Sequence, residues 1–170
     1  VSSVRSAPFR ASVTVLRPSE AHWLERWEHR VIEVLFPIAT GPVIAGLKTF
    51  LAGRGEAYAS NVFCGTKFPV TKQARMVTVR DDSGPTEGVL ARRQLGFNVW
   101  AESAVNAELL ALLLMAGLRT LPNGDPITAV DDMSGPFEIT DEQTDLLVVG
   151  STTLTHYFFT ARVSVRGADL

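Results

Sequence analysis

The 170-residue chain is predicted to fold as α+β: a mainly antiparallel sheet with a long helix and N-terminal helices packed on it, plus an extended N-terminal arm. Three observations predict this. Gln94–Trp100 alternates, with Leu95, Phe97 and Val99 on one side and Gly96, Asn98 and Trp100 on the other, which is the period of a strand. A helix with almost no polar face follows at once and runs to Leu121. The chain then closes on an alternating stretch, Thr152–Arg166. Tyr157, Phe159, Ala161, Val163 and Val165 share one face there, opposite His156, Thr160, Arg162 and Ser164, as in a half-buried antiparallel strand.

Taken in order, residues 1–17 read as an extended arm. Ala11–Leu16 has β-branched content but no turn partner nearby. Pro18-Ser19-Glu20 opens a helix with Ser19 as its cap. Trp23, Trp27, Val31 and Val34, with Leu24 and Leu35, recur at helical spacing until Pro37 ends the run. Residues 1–36 thus form an arm and extra helix, and residues 37–170 the main domain. Gly41-Pro42 opens a second helix with Val43, Ile44, Leu47, Phe50 and Leu51 as its stripe and Gly53 at its end. Asn61–Gly65 and Arg75–Arg80 read as strands, and Asp81–Arg93 as a mobile polar loop. Ser103 caps the long helix, and Pro122-Asn123-Gly124 stops it. Ile127–Val130 is a strand, Ser134-Gly135-Pro136 a turn, and Phe137–Thr140 an extended piece.

The long helix poses the main physical problem. Leu109–Leu118 is apolar around the whole cylinder, so one sheet can cover only part of it. The remaining cover comes from the N-terminal helices or from another copy. The uninterrupted apolar run is about half of the roughly 20 residues a bilayer needs, so it is not read as a membrane span.

Composition narrows the function. A net charge of −2 argues against a basic nucleic-acid binder, and a single cysteine, Cys64, excludes an internal disulfide and a cysteine-rich zinc site. The first residues lack the apolar core of a signal peptide, so synthesis in the cytoplasm is expected. Charge is unevenly spread. Thr120–Ala161 contains no Lys or Arg but holds Asp125, Asp131, Asp132, Glu138, Asp141, Glu142 and Asp145, whereas the first 30 residues carry Arg5, Arg10, Arg17, Arg26 and Arg30. This split suits head-to-tail contact between identical copies as well as it suits solvated faces.

No catalytic constellation emerges. His22 and His29 lie seven apart without a second ligand pair, and Cys64 has no activating neighbour in sequence. Gly65-Thr66-Lys67 lacks the preceding glycine of a phosphate loop. The one enzymatic hypothesis is that Asp81-Asp82 and Asp131-Asp132 converge at the sheet edge to hold Mg²⁺ for phosphoryl transfer. Both pairs precede Ser-Gly-Pro, or Met-Ser-Gly-Pro, where aspartate is an ordinary turn former. Neither a metal nor a cofactor is expected.

Val77–Pro85, followed by a polar loop and then Arg93-Gln94-Leu95-Gly96-Phe97-Asn98-Val99-Trp100-Ala101 running into an Ala/Leu helix, resembles tail terminator proteins of long-tailed bacteriophages, the actinobacterial siphophage versions above all. Gly65–Pro69, Ser134–Phe137 and the final Val163-Ser164-Val165-Arg166-Gly167 are also similar. The resemblance covers about residues 41–167, and its motifs are architectural; residues 1–36 depart from it. It implies a structural virion protein that forms a ring, usually six-fold, at the head-proximal end of the tail tube. Such a ring stops tube growth, meets the major tail tube protein and presents a docking surface to neck and connector proteins. DNA passes its lumen unread. Another neck component and a small Mg²⁺-dependent enzyme are the alternatives. The residues read as candidate interface positions are Arg92, Arg93, Asp81, Asp82, Leu113, Trp23 and Trp27.

Overall fold

The computed structural model describes residues 10–17, 28–122, 125–140 and 147–169. Its strands in chain order are β1 (Arg10–Arg17), β2 (Glu28–Leu35), β3 (Phe63–Gly65), β4 (Met76–Asp81), β5 (Thr86–Glu87), β6 (Leu90–Ala101), β7 (Ile127–Glu138), β8 (Val148–Val149), β9 (Thr152–Thr153), β10 (Thr155–Arg166) and β11 (Ala168–Asp169). Helix α1 (Thr40–Ala52) precedes β3, and α2 (Ala104–Leu118) joins β6 to β7. The main sheet runs β3-β4-β6-β10-β7, with β5 paired to β6 at its rim. All its pairs are antiparallel except β3–β4. The architecture is α+β.

The alternation of β6 and β10 builds the core. Leu95, Phe97 and Val99 face the helices with Phe159, Ala161 and Val163, all fully buried. Phe97 and Phe159 stack with centroids 4.6 Å apart. Helix α2 lies over β6, β10 and β7, while α1 lies over β3 and β4 and flanks α2. The two helices approach closely because Gly117 has no side chain: a Cβ there would sit 2.6 Å from the Phe50 ring. The helix start is fixed as the sequence predicts, with the Asn106 amide donating to Ser103 Oγ at 3.2 Å. On the opposite face of the sheet a smaller cluster gathers Met76, Trp100 and Leu154.

The structure corrects four expectations. Residues 28–35, expected within a Trp-bearing helix, form β2 instead. Val31, Ile32 and Val34 are β-branched and suit a strand, and a short apolar run fits either period. The rest of that expected helix, with Trp23 and Trp27, lies outside the described residues. The arm's Arg10–Arg17 segment does have a partner in its own chain, pairing with β2 in antiparallel register from Arg10↔Leu35 to Arg17↔Glu28. The loop expected from Asp81 to Arg93 is largely a hairpin extension. Asp82 N–H donates to Gln94 O, Gln94 N–H to Ser83 O and Arg92 N–H to Pro85 O. Finally, Ser134-Gly135-Pro136 does not end a strand. It lies inside β7, whose register against β10 shifts around it. Gly135 adopts φ 111°, and a Cβ there would meet Phe159 Cβ at 2.8 Å, so the chain bulges where sequence chemistry reads as a turn.

Leu110 is fully buried, whereas Leu112, two residues on, is 46% exposed. In the monomer, Leu110→Ala is expected to cost about 2–5 kcal/mol and Leu112→Ala less than about 1 kcal/mol, as read from urea unfolding.

Candidate functional site

Of the predicted site residues, the structure brings Asp81 and Arg93 together and leaves Asp82, Arg92 and Leu113 apart from that pair; Trp23 and Trp27 lie outside the described residues. Asp81 is gripped by Arg93, whose Nη2 donates to Oδ2 at 3.0 Å and whose Nε donates to both oxygens at 3.2 Å. This pair sits at the helix side of the sheet, on the wall of a cleft of about 380 Å³ shared with Phe36, Ile38 and Ala39. Asp82 points the other way and pairs with Arg80, Nη2–Oδ2 3.2 Å. Arg92 is exposed and reaches Glu87 at 3.6 Å. Asp132 pairs with Arg162. Strands β6 and β10 separate the two aspartate pairs, a spacing of roughly 14 Å across three inter-strand steps. The convergence that a shared Mg²⁺ site requires is therefore not formed, and the described residues contain no group of three or more His, Cys, Asp or Glu poised to hold a metal.

Leu113, expected at an interface, belongs to the chain's own core at 9% exposure. Cys64 is buried, and desolvation pushes its thiol up to about 11, which leaves it protonated and unreactive near neutral pH. His156 stacks on Trp100 at 4.5 Å, and its Nε2 meets Asn98 Oδ1 at 3.0 Å. Burial holds its pKa below the usual histidine value. His22 lies outside the described residues.

One ion pair ties the domain together. Arg75 Nε donates to both Glu102 oxygens at 3.0 Å, while Nη1 donates to Ser60 O at 3.1 Å, Ser60 Oγ at 3.0 Å and Ala57 O. Glu102 also accepts from Asn106 Nδ2 at 3.1 Å. The β3–β4 side is thereby fastened to the first turn of α2. Hydrogen bonding from Arg75 holds the Glu102 carboxyl below its usual range, against the opposing effect of burial.

The feature with the character of a binding surface is the flank of α2 that neither the sheet nor α1 covers. Val105, Leu109 and Leu112 are 65%, 38% and 46% exposed, and Ala116 continues the stripe. Their spacing of four, three and four residues keeps them on one side of the helix. Glu108 lies in the same stripe. Glu138 lies opposite Tyr157 in the β7–β10 register, and burial first, then the Glu138 and Glu108 carboxylates, hold that phenol above its usual pKa. Glu138 is on β7, the last strand of the sheet. The open flank thus carries one acid, Glu108, and Arg119 stands beyond its far end. Sequence reasoning missed these leucines because every position from Leu109 to Leu118 is apolar, so periodicity alone could not separate the open side from the buried one.

Two titrations are expected. Glu102 has a depressed pKa in the fold, so its contribution is complete above the unfolded carboxylate value near 4.5 and is lost as pH falls below it. Arg75→Ala should cost about 1–3 kcal/mol at neutral pH and flatten that acid limb of the stability curve. His156 is also depressed, so protons favour the unfolded chain below about pH 6.5. Stability should fall from there toward acid, and His156→Phe should remove that share of the slope in denaturant titrations.

No family model matches the chain and no curated protein matches it.

Proposed function

We propose that this chain is a structural virion protein that self-assembles into a ring, with no catalytic turnover. Its place is the head-proximal end of a long-tailed phage's tail tube, where it stops tube polymerisation and offers the docking surface for the neck. The observation that carries the self-assembly reading is the open apolar flank of α2, Val105, Leu109 and Leu112. Contiguous apolar surface of this kind on a small domain marks an interaction site. The tail position is supported by the residues that carry the resemblance. Val77–Arg80 and Gln94–Ala101 form the adjacent strands β4 and β6, and Val163–Arg166 ends β10. In this reading the tube subunit and neck proteins are the partners, and DNA crosses the lumen without base recognition. Another neck or connector component shares the same support. The Mg²⁺ enzyme reading is weaker, since Asp81, Asp82 and Asp132 are each held by an arginine.

Purified protein imaged by negative-stain electron microscopy should show closed rings. High salt should slow their assembly, because exposed charges are screened beyond about 8 Å at physiological ionic strength, while preformed rings persist through apolar contact. A strictly monomeric species at high concentration, with and without tail tubes, would refute the reading.

A further inference from the structure

The cleft walled by Asp81 and Arg93 holds polar groups that the fold leaves unpaired. Arg93 gives its Nε and Nη2 to Asp81, and its Nη1 has no partner among the described residues. The Ser83 amide donates to Asp81 Oδ1 at 2.9 Å, and Ser83 is held at φ 77°, a strained conformation for a residue other than glycine. Phe36, Ile38 and Ala91 line the same cleft and make it apolar beside the guanidinium. Its volume of about 380 Å³ lies at the low end of ligand pockets, which run from about 300 to 1,000 Å³. Asp81 balances the charge of Arg93, so an incoming carboxylate would meet repulsion there, whereas a neutral carbonyl would not. The cleft therefore suits one aliphatic side chain with a backbone carbonyl beside it. The chain displays such a group. Val70 is 106% exposed, more than any other large apolar residue described. It follows Pro69 in the loop between β3 and β4, and no hydrogen bond among the described residues uses the Pro69 or Val70 carbonyl. That loop enters β4 at Met76, while the cleft lies at the other end of the strand, at Asp81, about 17 Å away.

We propose that Val70 of one copy seats in the Asp81–Arg93 cleft of the next, with the carbonyl beside it accepting from Arg93 Nη1. The projecting side chain matches the apolar wall, and the unpaired acceptor matches the unpaired donor. Charge does not oppose the contact. Lys67 and Lys72 flank Val70, and they approach a rim where Asp81, Asp82 and Glu87 are each paired with an arginine. Knob and cleft stand at opposite ends of β4, so one copy offers both without joining them to each other. The contact is heterologous and closes into a ring when the rotation permits. This deepens the self-assembly reading and rests on it.

Two variants test it, each checked for native circular dichroism and melting. Val70→Asp alters the knob and leaves the cleft intact; Ile38→Asp alters the cleft at a residue that is 50% exposed and leaves the knob intact. Each alone should need roughly tenfold more protein to assemble than the unaltered chain, by analytical ultracentrifugation. A 1:1 mixture at high concentration should give two-copy complexes, because one good knob then meets one good cleft. Val70→Asp assembling like the unaltered chain while Ile38→Asp does not would mean that another segment fills the cleft, and would overturn the pairing. Ile38→Asp assembling like the unaltered chain would overturn it too, as would a mixture that stays monomeric; in each case self-assembly of the unaltered chain still stands. An unaltered chain that never assembles would remove both this contact and the ring.

Discussion

The register between β6 and β10 governs the molecule. Their pairing runs without a break from Leu90↔Arg166 to Ala101↔Thr155. Because side chains alternate, a slip of β6 by one residue against β10 would turn Phe97 away from the helices and bring Asn98 in beside Phe159. With the register as it stands, one face is wholly apolar and takes α2. The other holds Asn98 and His156 under the edge of the Trp100 stack. The position of α2 decides what is left uncovered, because α1 approaches from the β3–β4 side alone. The open flank of α2 is the geometric remainder of that arrangement.

The elements that the sequence made legible are those specified by local chemistry. Ser103 announces the start of α2, Gly53 the end of α1, and the alternation of Phe97 and Phe159 the two central strands. What stayed hidden depends on partners distant in the chain. Glu28–Leu35 carries residues that satisfy a helical period and a strand period at once, and pairing with Arg10–Arg17 decides between them. Asp81 reads as a turn former, or as a ligand in the alternative reading, until Arg93, 12 residues on, is seen to hold it. Ser-Gly-Pro punctuates turns and bulges alike, and only the neighbouring β10 shows that Ile127–Glu138 is a single strand. The helix flank was invisible for a different reason: its leucines are the same residue type as those in the core.

Arg75 and the open flank place opposite demands on α2. The guanidinium fastens the helix start to the β3–β4 side through Glu102 and the Ala57–Ser60 carbonyls. The exposed leucines belong to a helix whose start is already held within the monomer. A preorganised surface loses little side-chain and backbone freedom on association, so more of its apolar burial appears as affinity. For a protein proposed to assemble from identical subunits, that anchoring matters beside the apolar area itself.

The bulges in β7 carry a consequence for solubility. An end strand of this length with an even ladder would invite other strands to zip onto it without limit, the route to amyloid-like fibrils. Here Asp132 at φ 44° and Gly135 at φ 111°, with repeated register shifts, break the line of backbone donors and acceptors into short runs. Such an edge cannot template a continuous cross-β stack. The chain can therefore present a sticky helix flank at the rim of its sheet without also presenting a nucleus for aggregation.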